Sequence, residues 1–161
     1  ELVVQKAYIQ QHGGHLPIQD GIDVISVGTS FLRFLEIAKC LKRPTAVVTD
    51  NDGDIDALKK KYADYLGNNK KPFIKICFDE AVDSGTLKIG KNDYNYNTLE
   101  PKLLKANSRN LFNKIFKTIY ATDDDLRKYM KQNKTDCAIA IFDTSETIAF
   151  PDYILEAIKN D

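Results

Sequence analysis

No apolar run in the 161-residue sequence approaches the roughly 20 residues needed to span a bilayer, and none has the flanks of a secretion signal. Both absences argue against a membrane-spanning or secreted protein. Cysteine is scarce: Cys40, Cys77 and Cys137 lie far apart with no CxxC pair, which supplies neither a disulfide framework nor a zinc site. Cys40 and Cys137 each sit in an apolar helical pattern, and all three read as reduced core thiols of a cytosolic protein. Net charge is missing as well. The 23 lysines and arginines balance 23 aspartates and glutamates, so any nucleic-acid contact must come from a local basic patch. No GxxxxGK[ST] segment occurs, which excludes a P-loop ATPase within these residues. An initial methionine is also lacking; the chain enters a periodic segment directly after Glu1, the pattern expected of a cropped domain.

What is present is one domain's worth of ordinary globular sequence, with 43% hydrophobic and 29% charged residues, enough of each for a single core and a soluble surface. Leu2, Val3, Ala7, Tyr8 and Ile9 form a helical stripe that stops at Gly13-Gly14. Asp23 to Val27, bounded by Gly21 and Gly28, reads as a strand buried on both faces. Ser30 is placed to cap a helix over Phe31 to Leu41, closed by Lys42, Arg43 and Pro44. A second strand is expected over Thr45 to Asp50, a helix from Asp54 with Ile55, Leu58, Tyr62, Tyr65 and Leu66 on one side, and a third strand over Phe73 to Phe78. Strands alternating with helices of this length predict an α/β fold with a parallel sheet flanked by helices. Residues 79–97 read as a long loop or hairpin insertion. The last third is expected to be mainly helical: Leu99 to Leu104, Ser108 to Tyr120, Asp123 to Lys131, Asp136 to Phe142 and Asp152 to Ile158. No linker marks a second domain, so residues 1–161 are expected to form one unit.

The most informative segment is Ala46-Val47-Val48-Thr49-Asp50-Asn51-Asp52-Gly53-Asp54. In an extended chain residues two apart project to one side, so Asp50 and Asp52 are expected to aim two carboxylates at one point at the carboxyl end of a strand, where open parallel sheets place their sites. Adjacent carboxylates repel unless a cation joins them, and oxygen ligands with room for water suit Mg²⁺ or Mn²⁺. The plainer alternative is an acidic loop that caps the next helix, which fits Asp54 as N-cap and Asp56 in the first turn. A calcium loop of the EF-hand type fails, because Ile55 and Lys61 stand where it needs glycine and glutamate. Asp50-Asn51-Asp52-Gly53-Asp54 also resembles the Asp-x-Asp-Gly-Thr segment of haloacid-dehalogenase-like phosphatases in four of five places, with Asp54 in the place of threonine.

A wider resemblance spans nearly the whole chain. Gly21-Ile22-Asp23-Val24-Ile25-Ser26-Val27-Gly28-Thr29, the helix Phe31 to Leu41, and Thr45 to Asp52 resemble the Toprim domain of overcoming-lysogenization-defect (OLD) family nucleases. Thr98-Leu99-Glu100 and Asn133-Lys134-Thr135-Asp136-Cys137-Ala138 are similar to later blocks of that family. Phe150-Pro151-Asp152-Tyr153-Ile154-Leu155 is similar to the endonuclease subunit of Gabija-type anti-phage systems. The resemblance implies a Toprim-like domain that cleaves DNA with divalent metal, part of an antiviral defence protein, assembling as a homo-oligomer and served by an ATPase region or partner chain. It implies metal-binding roles for Asp50, Asp52 and Glu100, and a phosphate-facing role for Lys134. The family's first strand and its Glu-Gly motif are expected upstream of Glu1, along with an amino-terminal ATPase region. Glu1 then reads either as the acidic residue trailing that motif, on a second metal, or as a first-turn helix residue.

Each of these has a structural alternative. Glu100 also fits a capping role after Thr98, and Lys134 also fits a solvated helix end. His12 and His15 bracket a turn with no third ligand nearby and are expected to be exposed. Lys59-Lys60-Lys61 and Lys70-Lys71 suit either a solvated face or a DNA backbone, and the tyrosine-asparagine stretch at 93–97 suits a plain loop or base stacking. Three function classes follow: a Toprim nuclease, a phosphatase with Asp50 as nucleophile, or a non-catalytic assembly module.

Overall fold

The protein is described by a computed structural model covering residues 1–159, with the side chain of Thr29 outside that description. Its first helix, α1 (Leu2–Gln11), is followed by 3₁₀ turns at Pro17–Asp20 and Gly28–Ser30 and then by α2 (Phe31–Leu41). The β1 strand (Thr45–Val48), α3 (Ile55–Lys61) and β2 strand (Ile74–Cys77) complete the α/β half. β1 and β2 run parallel in the register Thr45 to Ile74 through Val48 to Cys77, with α3 in the crossover. A minimal antiparallel hairpin, β3 (Lys88–Ile89) and β4 (Asn92–Asp93), turns at Gly90, whose φ of +62° is open to glycine at no steric cost. Five helices finish the chain: α4 (Leu99–Ala106), α5 (Arg109–Phe116), α6 (Asp123–Gln132), α7 (Lys134–Asp143) and α8 (Asp152–Ala157). Among the described residues, no helix is long and apolar enough to cross a membrane.

The mixed α/β class, the parallel strand pair, the hairpin within 79–97 and the helical carboxyl-terminal third agree with the expectation. The first expected strand does not. Among the described residues, 23–27 have no strand partner, and Ile25 is 62% exposed where a strand buried on both faces was predicted. β-branched residues favour a strand only when a neighbouring backbone and a cover are present, and β1 is paired on one edge only, to β2. A second correction concerns Cys40, which is exposed; Cys77 and Cys137 are buried and free as expected. Burial pushes the Cys77 thiol up to about 11, and burial with the Glu100 and Asp136 charges pushes Cys137 up to about 12. Neither is a nucleophile near neutral pH.

Two cores carry the fold. The larger joins α1 and the carboxyl-terminal helices around Phe112, Leu103, Leu126, Met130, Ile141 and Ile154. The smaller packs Phe31, Leu35 and Ala38 of α2 with Leu58, Tyr62, Tyr65 and Ile74. The other side of α2 is also apolar, and Phe34, Ile37 and Leu41 are exposed there. α8 packs against both β1 and β2, which brings Tyr153 to the carboxyl ends of the strands.

Helix starts follow local chemistry. The Asp54 carboxylate accepts from Ala57 N at 2.9 Å, as its sequence position predicts. Ser108 and Thr122 cap α5 and α6 in the same way, whereas Ser30 precedes α2 without a side-chain cap. Asp54→Ala should lower stability by about 1 kcal/mol, read as a shift of the urea midpoint with an unchanged slope. No shift would mean that Asp54 is held for another purpose.

Candidate metal and phosphate site

β1 ends at Val48, so the two aspartates do not share a strand face as expected; a turn brings them together instead. Asn51 is its anchor, only 3% exposed. Its Nδ2 donates to Asp79 O at 2.6 Å and Ala81 O at 3.0 Å, and its Oδ1 accepts from Gly53 N at 2.9 Å. Asp54 N closes the turn on Asn51 O at 2.9 Å. Asp52 is forced into the left-handed region at φ +51° and Gly53 follows at φ +87°. A non-glycine residue held there is a conformational cost of order 1 kcal/mol that the surrounding hydrogen bonds must offset.

Asp50 is half-buried and Asp52 exposed. Burial, then the Asp52 charge, then the Glu100 charge raise Asp50 to about 6, against weaker lowering by the Leu99 backbone and Lys134. The first turn of α4 and the start of α7 therefore meet the β1 end in one electrostatic unit. Lys134 Nζ lies 3.2 Å from Glu100 Oε1, and Thr98 Oγ1 donates to Glu100 Oε2 at 3.2 Å. Lys134 is the first residue of α7, two positions before the predicted helix start, and its side chain is 56% exposed. Asp50, Asp52, Glu100 and Lys134 thus gather at one place, with more than 80 residues between the first and the last.

Glu1 does not join them. It is exposed at the start of α1, its carboxylate 3.4 Å from Gln5 Nε2, and it is not among the charges acting on Asp50. His12 stacks on Tyr8 with ring centroids 3.8 Å apart, and His15 is an exposed turn residue near Asp20.

Three site features escaped sequence reasoning. Tyr153 is buried, and burial together with the charges of Asp50, Asp79 and Glu100 raises its phenol, so a neutral hydroxyl faces the carboxylates. Asp79 lies two residues past β2 as Asp50 lies two past β1, a signal readable in hindsight, but its carboxylate is engaged by Lys102 at 2.6 Å. Asn95 Nδ2 approaches Asp52 at 3.4 Å from the main-chain oxygen.

The donor chemistry fits a hard divalent cation: a carboxylate whose charged form is disfavoured by burial and by two other carboxylates is relieved by positive charge, and oxygen ligands suit Mg²⁺ or Mn²⁺. Among the described residues, no three acidic, histidine or cysteine side chains form a ready-made cage. A cation here would rest on the aspartates and complete its shell with water or substrate oxygens.

Residues 1–52 match the family model described as the overcoming lysogenization defect protein-like TOPRIM domain. This stretch, about a third of the chain, is similar to OLD-like Toprim sequence. It includes Asp50 and Asp52 and ends at the second of them, while Glu100 and Lys134 lie beyond it. No curated protein and no solved structure matches the chain. Toprim domains belong to metal-dependent enzymes that act on nucleic acid, which is the chemistry this donor set fits.

Proposed function

We propose that the chain is the Toprim nuclease domain of an OLD-family, Gabija-like endonuclease, cleaving phosphodiester bonds of DNA with Mg²⁺ or Mn²⁺. The observation that carries it is the convergence of Glu100 and Lys134, outside the matched stretch, on the acidic pair inside it. Asp50 and Asp52 hold the cation and Glu100 adds a third carboxylate. A divalent ion supplies activation of water and charge neutralisation at phosphorus. Lys134 balances charge on the scissile phosphate, and the amino end of α7 adds unpaired N–H groups and a favourable dipole. Lys134 reaches substrate by exchanging Glu100 for phosphate, which its exposure permits.

The wider assignment includes an anti-phage role, a cytoplasmic setting, an ATPase region or partner chain, and homo-oligomeric assembly. The exposed apolar side of α2 supports association with a further subunit or domain, and the free buried thiols support a reducing compartment. The phosphatase alternative has no observation in its favour, because Asp54, where its motif departs, is occupied as the cap of α3.

Supercoiled plasmid incubated with the protein and Mn²⁺ should be nicked or linearised, and chelation should stop it. Lys134→Ala should slow cleavage on the order of 100-fold while Mn²⁺ affinity stays within a few-fold. Plasmid left intact at every metal concentration, or Lys134→Ala cutting at the wild-type rate, would contradict the assignment.

A further inference from the structure

We propose that Arg127, Lys131 and Lys134 form a cationic track that holds the sugar–phosphate backbone of a nucleic acid beside the acidic cluster of Asp50, Asp52 and Glu100. The inference rests on the nucleic-acid reading above and adds the surface that binds it. Arg127 and Lys131 are four residues apart on α6, hence on one face about 6 Å apart along the axis. The chain turns at Asn133, and Lys134 opens α7, so the three cations follow one another past a cleft lined by residues 131–136.

The loop at 94–97 ties this track to the carboxylates. The Arg127 guanidinium lies 5.3 Å from the Tyr96 ring centroid and Lys131 Nζ 5.6 Å from that of Tyr94. The two rings meet edge to face at 5.0 Å, and Asn95 between them is the residue that approaches Asp52. Tyr94 also feels the Glu100 charge. Aromatic faces favour a cation within about 6 Å without neutralising it, so Lys131 is positioned and still available, while Arg127 is shared with Asp124 and Lys134 with Glu100.

The charge state supports the same conclusion. The three aspartates opening α6 are already engaged: Asp123 by Arg109, Asp124 by Arg127 and Asp125 by Lys128. Among the described residues, Lys131 has no carboxylate within ion-pair distance. Arg127 gives one nitrogen to Asp124, while its buried Nε has no partner. In a chain of zero net charge, such a local strip is what polyanion binding requires. Tyr94 is only 6% exposed, so the rings serve as pedestals and not as stacking platforms for bases. Recognition is therefore of phosphates, independent of sequence.

The test is anisotropy of two labelled duplexes of unrelated sequence, titrated across a salt series with chelator present so that no cleavage intervenes. Lys131→Gln should weaken binding several-fold and equally for both duplexes, and lower the slope of log K against log salt by about 0.9. Lys131→Arg should restore both, and Lys39→Gln, in the last turn of α2 ahead of the amino end of β1, should change neither. Wild-type protein that binds neither duplex, a Lys131→Gln protein with unchanged affinity and slope, or a loss confined to one sequence would overturn the track. Since binding is read without metal, such failure leaves the cleavage reading standing. Normal binding with no Mn²⁺-dependent cleavage would sink the cleavage reading alone.

Discussion

Replacing Asp50 with asparagine should stabilise the metal-free protein at pH 8 by about 2–3 kcal/mol and do nothing for it at pH 3.5. The unfolded chain releases the Asp50 proton near 3.8, the folded chain only near 6, because burial, Asp52 and Glu100 disfavour the charged form. Between those values the native state holds more protons than the unfolded one, so stability falls as pH rises through the window. Above about pH 7 the full penalty of roughly two pKa units is in place, at 1.36 kcal/mol per unit. An amide carries no charge to penalise. Urea unfolding of the wild type and the variant at the two pH values measures the difference. A variant less stable than wild type at pH 8 would mean that the Asp50 charge is already compensated, and the acidic pocket would lose its rationale as a cation site.

Lys102→Met should cost about 3 kcal/mol at neutral pH, the second large effect. Lys102 is 4% exposed, yet its ammonium meets Asp79 at 2.6 Å, Asp83 at 2.7 Å and Ala81 O at 2.9 Å. It thereby pins the 79–83 segment on which Asn51 hangs the Asp50–Asp52 turn. Removing one partner of a buried ion pair leaves uncompensated charge and is far more damaging than the pair's net worth. The partial exposure of both aspartates, 28% and 25%, places the expected cost at the lower end of that range. Hydrogen bonds from Lys102 and Lys105 hold the Asp83 carboxyl below its usual range. That stabilisation is present above about pH 4 and fades as acid protonates Asp83, so the gap between variant and wild type should narrow on acidification. A loss under 1 kcal/mol would mean that the segment is held by its backbone contacts alone.

Much of the helical structure was legible because its signals are local. Phe31–Leu41 is delimited by its own apolar stripe and by Lys42, Arg43 and Pro44, and Asp54 caps the helix that its position announces. Strand 23–27 was misread because a strand is completed by neighbours the local sequence does not contain. Asp50 and Asp52 were found for a partly mistaken reason: the turn set by Asn51 and the left-handed Asp52, and not strand alternation, holds them together. Lys102 gave no local signal. A lysine in an amphipathic helix reads as solvated until the loop bearing Asp79 and Asp83 folds over it. Cys40 failed for the opposite reason, since α2 is apolar on two sides and only one is covered.

The central claim is that the carboxylates around Asp50 form a cation site, and thermal unfolding of wild type and Asp50→Asn against Mn²⁺ tests it most directly. The two curves should cross: without metal at pH 8 the variant melts higher. As Mn²⁺ rises the wild type should gain stability as RT ln(1 + [L]/Kd), about 2.7 kcal/mol at one hundred times Kd, while the variant gains little. A wild-type midpoint that does not respond to Mn²⁺, or a variant that responds equally, would contradict the account.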